Sequence, residues 1–279
     1  MRKKTTLRVL LVVIISIMLT SVIYVKITLN NTKPDYSISF IKTKLYISAF
    51  VGQEVTFPLT FITDRNVDIA KIVDSVQLIV DKDVAEISKW EVSKGSEYKD
   101  CKLNNLSLVL RIKNTGVCNV HGVRIKFKDG TDKQYEFSDW LINAFNDSPK
   151  NLEVASKEMY ISSNNKIMFD FRNISTKTLK LINIGFNSDK VLVKNATFKL
   201  GNNTVNDISG IELKPTQTVE CNLDTELVDA DVYFIRPFIE YIIDGTIQKE
   251  PITNGTVFGL PFSGEKMESM YQDYLKKKN

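Results

Sequence analysis

The sequence predicts an all-β protein: two tandem β-sandwiches behind one N-terminal transmembrane helix, with a short C-terminal helix at the end. Three observations predict it. An uncharged run of 17 residues, Val9–Val25, follows a basic N-terminus. Short segments rich in Ile, Val, Thr, Phe and Tyr then recur between turn formers, which is the spacing of sandwich strands. The last 17 residues, 263–279, switch to helical apolar spacing.

The first element is the membrane segment. Lys26 follows the uncharged run, and Ile27, Thr28 and Leu29 extend it to residues 9–29. The Lys26 ammonium can reach the headgroups on its alkyl stem. At ~1.5 Å per residue that segment spans roughly 31 Å, matching a bilayer core of about 30 Å. A secretory signal has an apolar region of about 7–15 residues and a small-residue cleavage site. The flank "SVIYVKITLNN" has no such site. Residues 1–29 therefore read as a cytoplasmic basic flank and an uncleaved signal anchor. Arg2, Lys3, Lys4 and Arg8 precede it with no acidic residue, so the bulk is expected outside the cytoplasm.

The charge balance supports that division. The chain holds 37 Lys+Arg and 33 Asp+Glu. Five of the basic residues lie in the first 26 positions, leaving 32 basic against 33 acidic, net −1. The basic excess belongs to the anchor, and nucleic acid is not an expected partner.

Residues 30–40, with Pro34, read as a linker, 41–147 as the first sandwich and 148–262 as the second. Strand candidates in the first are 44–51, 54–62, 74–80, 106–113 and 121–128. Pro58 places its strand at an edge, since it has no donor. "FNDSPKN" (145–151) clusters turn formers and marks the boundary. Candidates in the second half are 166–172, 178–186, 196–200, 208–213, 218–223 and 232–243. Two landmarks suggest that the halves repeat one topology. Arg-Asn follows an aromatic strand at 65–66 and at 172–173, and Asp-Gly-Thr begins at Asp129 and at Asp244. Asp-Gly supplies the positive φ angles of a type I′ hairpin turn.

The second half carries a resemblance. "FDFRNIS", a following strand, "IELKPTQTVECNL" and a long aromatic strand are similar to small immunoglobulin-like modules on bacterial cell surfaces. Such modules show N-x-S/T-x-K/T and then L-x-P before an alternating strand. The resemblance covers roughly residues 160–250. It implies a seven-stranded sandwich serving as spacer or binding module, and no functional residues.

Catalytic and metal chemistry find little footing. His121 is the one histidine, which leaves no HExxH pattern and reads as a surface or edge residue. Glu240 with Asp244, and Asp229 with Asp231, are the carboxylate pairs; nothing in the sequence brings either into a cleft. "DKD" (81–83) with Glu86 offers oxygen ligands without a Gly-containing EF-hand loop. No cofactor is expected, and the chain reads as a non-enzyme. Cys101, Cys118 and Cys221 read as small core residues. A Cys101–Cys118 bridge would have to span the intervening strand, well beyond the ~4.4–6.8 Å that a disulfide needs. The sequons at Asn30, Asn105, Asn173, Asn195, Asn202 and Asn254 read as chance in an Asn-rich chain.

In 232–243, Tyr233 and Tyr241 fall on one face and Phe234 and Phe238 on the other. One face is expected in the core; the other is a candidate binding surface. At the C-terminus, Met267, Met270, Tyr271, Tyr274 and Leu275 form one helical stripe, with Lys276–Lys278 at the end that favours cations. The stripe is expected to pack on the second sandwich or to dock on a partner. These observations point to a membrane-anchored interaction or assembly protein with a protein partner. A cell-surface ligand- or glycan-binding module is the alternative, and an envelope hydrolase a third.

Overall fold

Alternating apolar and polar residues turn most of the chain into strands. The structure, a computed structural model, describes residues 36–146, 150–154, 160–162, 166–186, 188, 190–227, 232–252, 256–258 and 264–278. Residues 9–29 lie outside these. Among the described residues no helix is long and apolar enough to cross a membrane.

One four-stranded sheet has the order β1 (Ile38–Phe40), β3 (Glu54–Asp64), β6 (Cys101–Ile112), β5 (Ala85–Tyr98). In β3, Val55, Phe57, Leu59 and Phe61 face inward at period two. Facing this sheet are β2 (Thr43–Phe50), β8 (Asp132–Phe145), β7 (Gly116–Phe127) and β4 (Val73–Val80), in that order. A single-turn helix, α1 (Ile69–Ile72), precedes β4. The rings of Phe57 and Trp140 meet edge-on at 5.3 Å between the two sheets. The chain leaves β1, crosses over and pairs β2 parallel to β8. The resulting orders place the first, second, fifth and fourth strands of an immunoglobulin sandwich against the third, sixth and seventh.

The second half builds another pair of sheets. One runs β14 (Asn203–Val205), β13 (Val191–Leu200), β16 (Thr218–Leu227), β11 (Lys166–Asn173), β9 (Leu152–Glu153). The other runs β15 (Glu212–Leu213), β12 (Leu179–Gly185), β18 (Phe238–Ile243), β19 (Thr246–Pro251). Ile167, Phe169, Phe171, Leu181, Leu223 and Ile239 share one apolar cluster between them.

The expected division at 147/148 does not divide the hydrogen bonding. Three strands of the second half, β10 (Tyr160–Ser162), β20 (Thr256–Phe258) and β17 (Val232–Arg236), extend the first sandwich's sheet beyond β2. The result is a seven-stranded sheet, with β17 parallel to β2. The segment expected as one strand, 232–243, is two. Pro237 has no N–H to continue a ladder, and the chain changes sheets there, from β17 to β18. As a consequence β2 is buried at all eight positions. Tyr46, Tyr233 and Ile235 join the apolar cluster of the second half.

Other expectations are refined. Strand β5 is absent from the sequence reading: its residues alternate charge with Ile87, Trp90 and Val92, and a register break between Ile87 and Lys89 spoils the period. Segment 208–213 is mostly turn, with only β15 paired. Asn104-Asn105 lie inside β6; the turn is at Lys99, whose φ is +53°. Strand β3 is flanked on both sides only at Phe61–Thr63, so at Pro58 it is an edge locally. Asp244 and Gly245 both have positive φ, as a type I′ turn requires. At Asp129-Gly130 only the glycine does, and the loop closes with Phe127 N–H donating to Thr131 O at 2.8 Å. The three cysteines are free and buried.

Candidate functional site

The C-terminal stripe is the first candidate. Residues Gly264–Lys278 form a helix, α2. It packs on the first sandwich rather than the second, against the β5–β6 turn and the end of β3. Met270 is 8% exposed and Tyr274 1%; Met267, Tyr271 and Leu275 are half-buried. Three tyrosine–carboxylate bonds fasten it. Tyr274 O–H donates to Asp64 at 2.8 Å, Tyr271 to Asp100 at 2.6 Å, and Tyr98 to Glu268 at 2.5 Å. Lys99 Nζ lies 2.6 Å from Glu268 and 4.6 Å from the Tyr271 ring centroid, and Lys278 pairs with Asp64. Hydrogen bonds from Lys99 and then Tyr98 hold the Glu268 carboxyl down to about 2. The hydrogen bond to Asp100 pushes the Tyr271 phenol up to about 12. The stripe, expected either to pack on the second sandwich or to dock on a partner, is thus engaged within the chain on the first sandwich.

The sheet junction is the second candidate. Val232–Ile239 are buried without interruption, and Tyr241 is 1% exposed. Tyr233, Phe234, Phe238 and Tyr241 are therefore all covered, and none lies on a free face. Glu250, 3% exposed, accepts from the backbone N–H of Asn151 and Leu152 at 3.0 and 3.1 Å and from Tyr241 O–H at 2.8 Å. It clamps the segment joining the two halves. Desolvation raises its carboxyl, and these hydrogen bonds oppose the rise. Arg236, at the end of β17, is 3% exposed, and its Nε and Nη2 have no hydrogen-bond partner among the described residues. Desolvation lowers its guanidinium to about 10.

The N-x-S-x-K and L-x-P motifs are joined in a structural knot. Asn173 is fully buried. Its Nδ2 donates to Lys177 O and Leu213 O, both at 2.8 Å, and its Oδ1 accepts from Ser175 N and Oγ at 2.9 and 2.7 Å. The side chain ties the β11–β12 turn to the segment before Pro215, and this sequon is closed to a glycan. His121 is exposed on β7. Asp81 accepts from Asn119 N and Nδ2 at 2.8 and 2.9 Å, and Lys113 holds Asp83 at 2.9 Å and Glu86 at 3.4 Å. These acidic side chains brace neighbouring strands. Among the described residues no acidic, histidine or cysteine side chains cluster as metal ligands. The sequence reading missed Arg236 and Glu250 as buried charges, since burial at the junction depends on the strand switch at Pro237.

No family model matches the sequence, and no curated protein does. Solved structures are similar in part. The sialic acid binding region of a Streptococcus sanguinis adhesin is 10% identical, with 89% of this chain and 88% of that one covered and a TM-score of 0.22. The fibronectin(III)-like modules of Clostridium thermocellum CbhA are 8% identical, with 79% and 92% covered and a TM-score of 0.24. The C-terminal domain of a Streptococcus agalactiae AgI/II polypeptide is 8% identical, with 79% and 99% covered and a TM-score of 0.23. At this level the likeness carries no argument about arrangement or activity.

Proposed function

We propose that this chain is a membrane-anchored, extracytoplasmic interaction or assembly protein that presents a fused pair of immunoglobulin-like sandwiches to a protein partner. Residues 9–29 hold it in the membrane, with the N-terminus cytoplasmic. The observation that carries the reading is the seven-stranded sheet built from both halves. Sharing a sheet removes the hinge that separate beads on a linker would have. A stiff pair of sandwiches suits a protein that must hold a partner at a set position. A glycan platform is the weaker reading, because Tyr233, Phe234, Phe238 and Tyr241 are all buried. The test is photo-crosslinking from exposed sandwich positions of the full-length chain in native membranes. One recurrent protein adduct, with an intact mass that includes residues 1–29, supports the reading. Crosslinks to glycan alone, or a mature form starting near Asn30, overturn it.

A further inference from the structure

Unpaired strand edges invite other strands, and proteins blunt them with short strands, charges, prolines and bulges. Among the described residues the four sheets have eight edges. Strands β1, β9, β10, β14 and β15 are two or three residues long. Strand β5 carries Lys89, Glu91, Lys94 and Glu97 and two register breaks. Strand β19 carries Lys249 and Pro251. The stretch of β13 that runs beyond β14 has Lys194 and a break between Val193 and Asn195.

Strand β4 differs. Its register breaks lie at its ends, between Val73 and Ser75 and between Ile79 and Val80. Between them runs Ser75-Val76-Gln77-Leu78-Ile79, with no charge and no proline. Among the described residues its one strand neighbour is β7. Val76 is buried toward the core, while Leu78 and Ile79 remain partly exposed.

The next strand supplies charge. Lys126 stands opposite Ser75 and Arg124 opposite Gln77; both are exposed on the outer face. Arg124 donates to the Gln134 side-chain oxygen, and among the described residues its one anion is distant, Asp132 at 3.9 Å. A strand added beside β4 would lie about 9.6 Å from β7, two strand spacings away, within reach of a Glu side chain meeting Arg or Lys.

We propose that the β4 edge takes up an extended segment of a partner protein in which apolar and acidic residues alternate. The apolar residues continue the inner face beside Val76 and Leu78. The acidic ones lie over Gln77 and Ser75, facing Arg124 and Lys126. Backbone bonds to β4 supply the pairing, and the side-chain alternation selects the sequence. This deepens the interaction-protein reading and rests on it.

The test uses the full-length chain in detergent and a fluorescein-labelled peptide, Thr-Val-Glu-Val-Glu-Val-Thr. Expected are saturable binding, slowed amide exchange within residues 75–79, and affinity that falls with salt. The same peptide with Lys for Glu should bind about tenfold more weakly. The double variant Arg124→Glu, Lys126→Glu alters only exposed side chains and should reverse that preference. Leu78→Lys, which puts a charge on the inner face where the peptide's apolar residues would lie, should remove binding of both peptides. Equal binding of the two peptides, protection outside β4, or no binding at all would overturn the proposal. So would self-association of the chain that Leu78→Lys abolishes, since a second copy would then hold the edge. Failure to crosslink any protein in native membranes would sink the broader reading and leave the peptide result intact.

Discussion

Replacing Arg236 by Met should make this protein more stable. The guanidinium is 3% exposed, and two of its three nitrogens are buried without a hydrogen bond. Burial lowers it from its ordinary value to about 10, which corresponds to about 3 kcal/mol against the charged form at about 1.4 kcal/mol per pH unit. Arg236 shares a face with Phe234 by strand alternation and lies in register with Ile47. Met has similar length and no charge. Buried ionic groups replaced by apolar residues of like volume change stability by about 0 to +4 kcal/mol; about 1–3 kcal/mol is expected here. For a chain of this size that raises Tm by about 3–10 °C, read by calorimetry or urea unfolding. The pH dependence has a definite sign. The folded guanidinium loses its proton before the unfolded one, so above about pH 10 the unfolded state binds more protons and stability rises with pH. The gap between Arg236→Met and the native chain should be constant near neutrality and narrow above about pH 10. A Met variant destabilised by ~1 kcal/mol or more would refute the reasoning, because it would mean that the guanidinium makes a favourable pair.

Three further outcomes are expected. A Cβ added at Gly185 would lie 2.0 Å from the Phe238 ring, so Gly185→Ala should cost about 1–3 kcal/mol through overpacking, measured by urea unfolding; a neutral result would show that the ring moves aside freely. Asn173→Ala strips four hydrogen bonds from one buried side chain and should lower stability by about 2–4 kcal/mol, with faster amide exchange around residues 174–177 as the local signature. Deleting 264–279 removes the buried Met270 and Tyr274, worth about 1.5–3 kcal/mol each at most, so Tm should fall. Because the Glu268 carboxyl sits at about 2 rather than 4.5, its contribution to holding the helix persists above pH 4.5 and disappears as pH falls toward about 2. An environment-sensitive dye on residue 279 should report release in that window, and signal unchanged through it would discount the Glu268 clasp.

What was legible in the sequence follows from what sets each feature. Strands with one wet face, such as β3 and β7, announce themselves by alternation, and α2 by its stripe. Strand β5 stayed hidden because its bulge shifts the phase of the few apolar residues it has. The destination of α2 was not legible either. Its stripe specifies that something must be covered, whereas the choice of the first sandwich depends on Asp64, Asp100 and Tyr98, which converge only after β3, β5 and β6 have paired.

The sheet junction is the instructive case. In "VYFIRPFIEYII" one face is apolar throughout and the other mixes aromatic residues with Arg236 and Glu240, so periodicity reads one strand with a core face and a second, free face. Pro237 is the sole mark of a change, and in isolation it marks an edge as readily as a switch. The switch is chosen by what lies on each side. Upstream, β2 presents Leu45 and Ile47 to a parallel neighbour; downstream, β12 receives Phe238 over Gly185, a residue with no Cβ to obstruct the ring. Once that choice is made, Arg236 is carried into the interior by the same backbone that buries Ile235. A guanidinium left there with two nitrogens unbonded among the described residues is what the strand switch costs, and Arg236→Met measures that cost directly. If the substitution stabilises the chain while the junction keeps its amide protection, the guanidinium has no part in holding the two halves together. The binding of Tyr46, Tyr233 and Ile235 into the second half's core then accounts for the joint.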